Sequence, residues 1–180
     1  MLGHDALAQH FTGGATVYQA FLSALSYHRW HAPVSGTVKR CFVRDGTYFS
    51  KPLFQWSAER PGAGAMINKV SKEGLGPAQG YISAMATRAV IFLEAENPGI
   101  GLIAFIGIGM DEVSSCEITV REGQKVRKGD EIGMFHYGGS SWCLVLRKGV
   151  RVEGFPDVER TVNVPVRGRL AVVKAEEGEF

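Results

Sequence analysis

Two stretches of the sequence, HAPVSGTVKRCFVRDGTYFSKPLF at residues 31–54 and CEITVREGQKVRKGDEIGMF at residues 116–135, share one pattern. Each contains a run of β-branched and aromatic residues, then a turn with glycine, then a second run that favours a strand. In the first stretch, Asp45-Gly46 is typical of a turn between two strands. The repetition predicts two similar strand–turn–strand units that pack against each other.

This pattern resembles the half-barrels of lipoyl- and biotinyl-carrier folds, in which paired units form a small sandwich. Residues 15–27 space Val17, Phe21 and Leu25 at helical intervals, which indicates a short amphipathic helix. The predicted fold is therefore mostly β (α+β), with lipoyl- or hammerhead-like half-barrels and a flanking N-terminal helix, in one domain over residues 1–180. Further strands are predicted within residues 81–95, 101–110, 113–120, 131–136, 142–147 and 163–173, with a charged turn at 121–129 and a long loop at 57–80.

Composition narrows the class of protein. Among 180 residues, 45% are hydrophobic and 21% are charged, which is typical of a globular chain with a real core. The formal net charge of +2 gives no reason to expect nucleic acid as a partner. No signal peptide or long apolar span is visible, so we expect a cytoplasmic or otherwise intracellular protein whose contact with membranes is at most peripheral.

The three cysteines, Cys41, Cys116 and Cys143, have no paired spacing. Without a Cys-x-x-Cys pair or a cysteine–histidine cluster, no zinc or other metal site is predicted. We interpret the cysteines as small buried residues of a reducing compartment. Cys143 stays more open to another role because it lies close to the glycine–serine element described next.

Residues 135–145, FHYGGSSWCLV, contain glycines directly before two serines. In a strained turn, the Ser140 hydroxyl can attack the carbonyl carbon of Gly139, because glycine adds no obstructing side chain. The peptide becomes an ester, and β-elimination would leave dehydroalanine at position 140, which hydrolyses to a pyruvoyl group. Such chemistry needs a base for the hydroxyl and donors for the oxyanion. Taken alone, the same residues are also typical of an ordinary turn.

A second element, YHRWHAP at residues 27–33, carries His28 and His31. Histidine is the side chain best suited to moving protons near neutral pH. A metal pair is disfavoured because further ligands at useful spacing are absent from the sequence. A structural role for one of the two histidines remains an alternative.

The sequence is similar to the phosphatidylserine decarboxylase family in the order and spacing of its motifs. It looks closest to the branch that contains fungal L-tryptophan decarboxylases, with Gly-Ser-Ser where many phospholipid enzymes have Leu-Gly-Ser-Thr. The resemblance covers roughly residues 4–147. The matching motifs are HRWHAPVSG at 28–36, GIGMDEVSSCEI at 107–118 and KGDEIGMFHYGGSS at 128–141.

The resemblance implies a carboxy-lyase that cuts itself between Gly139 and Ser140. Residues 1–139 would form a β piece and residues 140–180 an α piece, which stay associated. The resemblance also implies that His31 is the base that helps Ser140 attack and that His28 serves decarboxylation, in proton delivery. The new prosthetic group, a pyruvoyl derived from Ser140 without a metal, would supply the electron sink.

The substrate implied is the serine head group of phosphatidylserine or a free aromatic amino acid such as tryptophan. Aromatic side chains flank the predicted centre and could form its substrate pocket, although core packing beside the site would explain them equally well. These candidate pocket residues are Trp30, Phe135 and Trp142.

One departure from the family concerns an acidic residue that orients the base and lies upstream of the histidine motif. Only residues 1–27 precede His28, and Asp5 does not match that motif, so we expect the sequence to lack the N-terminal part. This departure leaves open an inactive, truncated homologue, and the two similar stretches leave open a non-catalytic lipoyl- or biotinyl-like module. The second predicts a modifiable lysine in an Asp-Lys-Ala or Met-Lys-Met setting, which the sequence lacks.

Overall fold

The computed structural model describes residues 2, 5–22, 26–47, 75–109, 115–136, 140–157 and 163–174. Strands, in antiparallel pairs, account for far more of these residues than helices do, so the prediction of a mostly β fold is confirmed. The helices are a 3₁₀ helix (Ala6–Phe11) and α1 (Leu75–Met85). The strands are β1 (Thr16–Leu22), β2 (Arg29–His31), β3 (Gly36–Arg44), β4 (Arg88–Ala95), β5 (Leu102–Gly109), β6 (Cys116–Ile118), β7 (Lys125–Val126), β8 (Glu131–Phe135), β9 (Ser140–Leu146), β10 (Val152–Glu153) and β11 (Val172–Val173).

The strands form three sheets. The large sheet has six strands in the order β1-β9-β5-β4-β3-β7, and every neighbouring pair is antiparallel. A three-stranded sheet has the order β2-β8-β6, and β10 pairs with β11. In the large sheet β9 lies between β1 and β5, although it follows both in the chain.

Apolar side chains cover both faces of the large sheet. On one face, Phe105 and Leu144 pack with Trp30 and Ile132 of the three-stranded sheet. The opposite face packs against the helices, through residues that include Phe11, Ile82, Ala86, Ile106 and Cys143. Strands buried on both faces read as nearly continuous apolar runs, which explains why β4 and β5 were recognisable from the sequence.

The prediction of a helix at residues 15–27 is wrong, because Thr16–Leu22 forms strand β1. Its apolar residues are also compatible with a period of two, since Val17 and Phe21 lie on one face and Tyr18 and Leu22 on the other. All seven residues pair with β9, from Thr16 opposite Leu146 to Leu22 opposite Ser140. Pairing with a strand far along the chain therefore overrides the local helical spacing.

Two further predictions need correction. Most of the strand predicted within residues 163–173 is irregular, and only Val172–Val173 is a strand. A turn interrupts this segment, in which the amide of Gly168 donates to the carbonyl of Pro165 over 2.8 Å. The long loop predicted at residues 57–80 is wrong from residue 75 onward, where α1 begins, and its earlier residues lie outside the described ranges.

The two similar stretches of sequence are bonded to each other. Strand β3 of the first stretch pairs with β7 of the second, which lies within the predicted charged turn. Ala32 donates to the carbonyl of Asp130 and accepts from the amide of Gly129, each over 2.8 Å. A half-barrel arrangement stays a prediction, because residues 48–54 lie outside the described ranges.

Within the described ranges, no helix is both long and apolar enough to cross a membrane.

Trp30 joins the three-stranded sheet to the large sheet. Its side chain is 2% exposed and packs on Phe105 and Phe135, with ring centroids 5.6 and 4.6 Å away. The indole fills the space over Gly107 of β5, where a Cβ atom would lie 2.6 Å from Trp30 Cζ2. A glycine is therefore required at position 107 for the two sheets to approach each other.

The substitution Gly107→Ala is expected to lower the free energy of unfolding by about 1–3 kcal/mol, because the added methyl group overpacks the contact with Trp30. Urea unfolding followed by tryptophan fluorescence measures the change. Gly80→Ala in α1 is the matched control, since a Cβ there meets no atom within 4 Å and should stabilise the helix by roughly 0.5–1 kcal/mol. Equal effects of the two substitutions would contradict the role given to Trp30.

Candidate active site

Ser140 is the first residue of β9 and is fully buried. On one side it pairs with Leu22 of β1, and on the other with Gly109 of β5, whose lack of a side chain leaves room beside the serine. Because side chains alternate along a strand, Ser140 shares its face of the sheet with Trp142, whereas Ser141 points to the opposite face. Gly139, the other predicted cleavage residue, lies outside the described residues.

His28 is the histidine that the structure brings to Ser140. Its Nδ1 atom lies 3.4 Å from Ser140 Oγ, at the long end of the range for a hydrogen bond. The carbonyl of His28 accepts the amide of Phe135 over 3.0 Å, and the imidazole meets the Phe135 ring edge-on. Phe135, the last residue of β8, thus holds His28 in place beside Ser140. An imidazole at this position can take a proton from the serine hydroxyl or return one.

His31, at the end of β2, has partners elsewhere. Its Nδ1 atom lies 2.9 Å from the carbonyl oxygen of Gly129, so Nδ1 carries a hydrogen and donates it. In the neutral ring, Nε2 then accepts from the Tyr27 hydroxyl over 2.7 Å, and the two rings stack. Nε of Arg167 lies 3.4 Å from the same Nδ1 atom. These contacts hold the ring of His31, whose role as the base for Ser140 stays a prediction.

The carboxylate of Asp5 bonds to groups other than the two histidines. One carboxylate oxygen accepts the amide of Leu7 over 2.9 Å and caps the 3₁₀ helix, and the other lies 2.7 Å from Nε of Arg40. The carboxylate therefore has structural partners, in agreement with its mismatch to the family motif.

The three candidate pocket residues differ in exposure. Trp30 and Phe135 are buried and contact each other edge-to-face, as expected for core packing. Trp142 is partly exposed and lies between Phe105 and Tyr18, with ring centroids 5.9 and 5.5 Å away. Of the three, Trp142 therefore offers open aromatic surface on the face that carries Ser140. Their role as a pocket stays a prediction.

Cys143 lies three residues after Ser140 but on the opposite face of β9. Burial raises the pKa of its thiol to about 12, and burial likewise raises the pKa of Cys116 to about 11. Since the thiolate is the nucleophilic form, neither cysteine is suited to attack near neutral pH. In the described part of the chain, no group of three or more histidine, cysteine or acidic residues could hold a metal ion.

Two features of the site were missed in the sequence. Arg167 approaches His31 from a segment that was predicted to be a strand. Gln19, assigned to a helix, bonds to Ser141 and to Ser83 of α1. Neither residue has a local signal, because each contact joins segments that are far apart in the chain.

Residues 1–178 match the family model described as phosphatidylserine decarboxylase, and the chain belongs to this family. A protein named Decarboxylase iboD from Amanita muscaria is 47% identical over 152 residues, which cover 81% of this chain and 41% of that protein. L-tryptophan decarboxylase from Psilocybe cubensis is 42% identical over 153 residues, covering 85% of this chain and 34% of the relative.

A more distant relative is phosphatidylserine decarboxylase proenzyme 2 from Oryza sativa subsp. japonica, 30% identical over 148 residues that cover 82% of this chain and 20% of that protein. The chain thus matches about two fifths or less of the length of these curated relatives. The family and the branch inferred from the motifs are confirmed.

Proposed function

We propose that this chain carries the self-cleavage site of a pyruvoyl-dependent decarboxylase, a carboxy-lyase cut between Gly139 and Ser140. The observation that carries the proposal is the burial of Ser140 at the start of a central strand, with Nδ1 of His28, the proposed proton donor for decarboxylation, 3.4 Å from its hydroxyl. Family membership supports the same reaction class. The alternatives of a non-catalytic carrier module and of an inactive homologue have no comparable support.

The proposed cleavage uses the chain's own atoms. Ser140 Oγ bonds to the carbonyl carbon of Gly139 and loses its proton, and the bond from that carbon to the Ser140 nitrogen breaks as the nitrogen gains a proton. Elimination then removes the α proton of residue 140 and releases the carboxylate of Gly139, which leaves dehydroalanine. Its imine tautomer is hydrolysed by water, which supplies the ketone oxygen and releases the nitrogen as ammonia. The pyruvoyl group so formed would supply an electron sink for decarboxylation.

The buried position of residue 140 fits such a group. Ser140 is 0% exposed and its neighbours on the same face are aromatic and aliphatic, so little bulk water would compete for protons there. Among the described residues, His28 is the titratable group at hydrogen-bonding distance of Ser140, and we propose that it delivers the proton during decarboxylation. We keep the family-derived role of His31, activation of Ser140 for the cleavage.

The two pieces are proposed to stay together as one domain after cleavage. Residues 1–139 would supply β1 and β5, and residues 140–180 would supply β9, which pairs with both. Seven residue pairs join β9 to each neighbour, from Ser140 to Leu146. Separation would therefore expose the centre of the large sheet and both cores.

The first test is the intact mass of the protein after purification. The unsubstituted chain should give two fragments that divide at Gly139-Ser140, elute together on native size exclusion, and include a smaller fragment that reacts with hydroxylamine. Ser140→Ala removes the attacking oxygen and should leave one 19.6 kDa chain without a reactive carbonyl. Ser115→Ala, on an exposed residue, is the matched control and should cleave normally. Cleavage of the Ser140→Ala variant would overturn the proposal.

Substitutions of the two histidines should impair different steps of the reaction. His28→Gln is expected to lower turnover per carbonyl group by about 100-fold or more while cleavage continues, because proton delivery at residue 140 is lost. His31→Gln is expected to block cleavage itself. Timed mass spectra measure the first step, and release of CO2 measures the second. If His28→Gln alone stopped cleavage, His28 rather than His31 would be the base for Ser140.

We propose that the substrate is an amino acid, which loses its carboxylate as CO2. Within that class we propose an aromatic amino acid such as tryptophan. Identity supports this choice, since the relative named L-tryptophan decarboxylase is 42% identical, against 30% for the rice proenzyme. The partly exposed ring of Trp142 offers a surface on which a flat side chain could stack. Phosphatidylserine remains the second candidate, through the family match.

Separate assays with each substrate distinguish the two candidates. The cleaved protein, incubated with tryptophan or with vesicles that contain phosphatidylserine, should release CO2 from tryptophan at the higher kcat/KM. Trp142→Ala should raise KM for tryptophan by roughly two- to tenfold, since stacking of aromatic rings contributes on this scale. A preference for phosphatidylserine, unaffected by Trp142→Ala, would reject the aromatic substrate without touching the cleavage reaction.

A further inference from the structure

We propose that Gln19 is a positioning residue that anchors the start of β9 to helix α1 and thereby holds residue 140 in place. The effect of this anchor on catalysis rests on the function proposed above, whereas the anchor itself is a property of the fold.

The anchor consists of one amide and two hydroxyl groups. Gln19 Nε2 donates to Ser141 Oγ over 3.3 Å and to Ser83 Oγ over 3.2 Å. A side-chain amide nitrogen carries two hydrogens, so it can make both bonds together. Three segments thus meet at one side chain: β1 through Gln19, β9 through Ser141, and α1 through Ser83.

The two hydroxyl groups lie in an apolar layer. Ser83 and Ser141 are each 1% exposed, and Ile82, Ala86 and Cys143 pack on the same side of the sheet. A buried hydroxyl without a partner is costly, since it has lost its water and gained nothing in exchange. Loss of the Gln19 amide would therefore weaken the contact of α1 with the sheet at the point where β9 begins.

Cleavage changes what holds residue 140. Before cleavage, the peptide bond to Gly139 continues the chain on one side of Ser140. After it, residue 140 would be the first of a new chain, and the ends of chains fray unless other contacts retain them. The first side chain beyond that terminus belongs to Ser141, whose hydroxyl is tied to Gln19. The anchor is therefore more important for the cleaved protein than for its precursor.

The neighbouring residues on β1 cannot replace this contact. Val17 and Phe21 lie on the same face as Gln19, are more than half exposed, and carry no polar group in their side chains. Strand pairing keeps β9 in register, and the bonds of Gln19 connect the first residues of the new chain to α1. Small displacements of a reacting group reduce rates strongly, so this restraint should be visible in turnover.

The experiment compares Gln19→Met, which keeps the length of the side chain but removes its donors, with Gln9→Met. Gln9 is exposed on the 3₁₀ helix and serves as the matched control for the same chemical change. Hydrogen exchange by mass spectrometry, on the cleaved and the uncleaved protein, should be about tenfold faster at residues 140–146 in Gln19→Met and unchanged in β4.

Kinetics supplies the readout that a general loss of stability would not produce. In Gln19→Met, turnover per hydroxylamine-reactive carbonyl group should fall about tenfold with KM within about twofold, and the rate of cleavage should fall by less than about threefold. Ser141→Ala should have the same effect, and Ser141→Thr, which keeps the hydroxyl, should recover most of the turnover. Gln9→Met should behave as the unsubstituted protein.

The outcomes separate this inference from the proposed function. Exchange and turnover in Gln19→Met that equal those of Gln9→Met would overturn the anchor, as would faster exchange spread evenly over the large sheet. If the unsubstituted protein never forms the carbonyl group, the proposed function fails. Exchange in the uncleaved chain then still decides the anchor, since a change confined to residues 140–146 supports it and no change rejects it.

Discussion

Strand β9 pairs with β1 on one side and with β5 on the other, and this pairing determines where Ser140 lies. It places Ser140 at the end of a central strand, beside Leu22 on one side and Gly109 on the other. A serine at this position is removed from water while its hydroxyl still faces His28. Because a register shift by one residue would turn every side chain of β9 to the opposite face, the pairing also decides that Ser140 and not Ser141 meets the histidine.

The second requirement is that the three-stranded sheet lies close to the large one. Trp30 satisfies it by filling the space left by Gly107 in β5 and by Gly133 in β8. Trp30 stands between the two histidines of the motif in the sequence, so the packing that joins the sheets lies beside the candidate site. The candidate active site is therefore assembled between two sheets, and its geometry depends on apolar contacts as much as on polar ones.

If the chain is cut before Ser140 as proposed, its new end must keep its place inside a sheet. Both neighbours of β9 come from residues 1–139, and the pairing extends over seven residues on each side. The bond from Gln19 to Ser141 adds a restraint within one residue of the proposed terminus. Together these contacts would hold residue 140 in a fixed position after the backbone is broken, as the proposed chemistry at that residue would require.

The chemical groups and the buried strands could be predicted from the sequence alone. Apolar runs such as Val90–Leu93 are local signals, and the glycine–serine and histidine elements indicated the family through their order and spacing along the chain. Three features required the tertiary structure: residues 16–22 form a strand, His28 is the histidine beside Ser140, and Gln19 reaches Ser141. Each of them depends on contacts between segments more than 100 residues apart, and such contacts leave no periodicity in either segment alone.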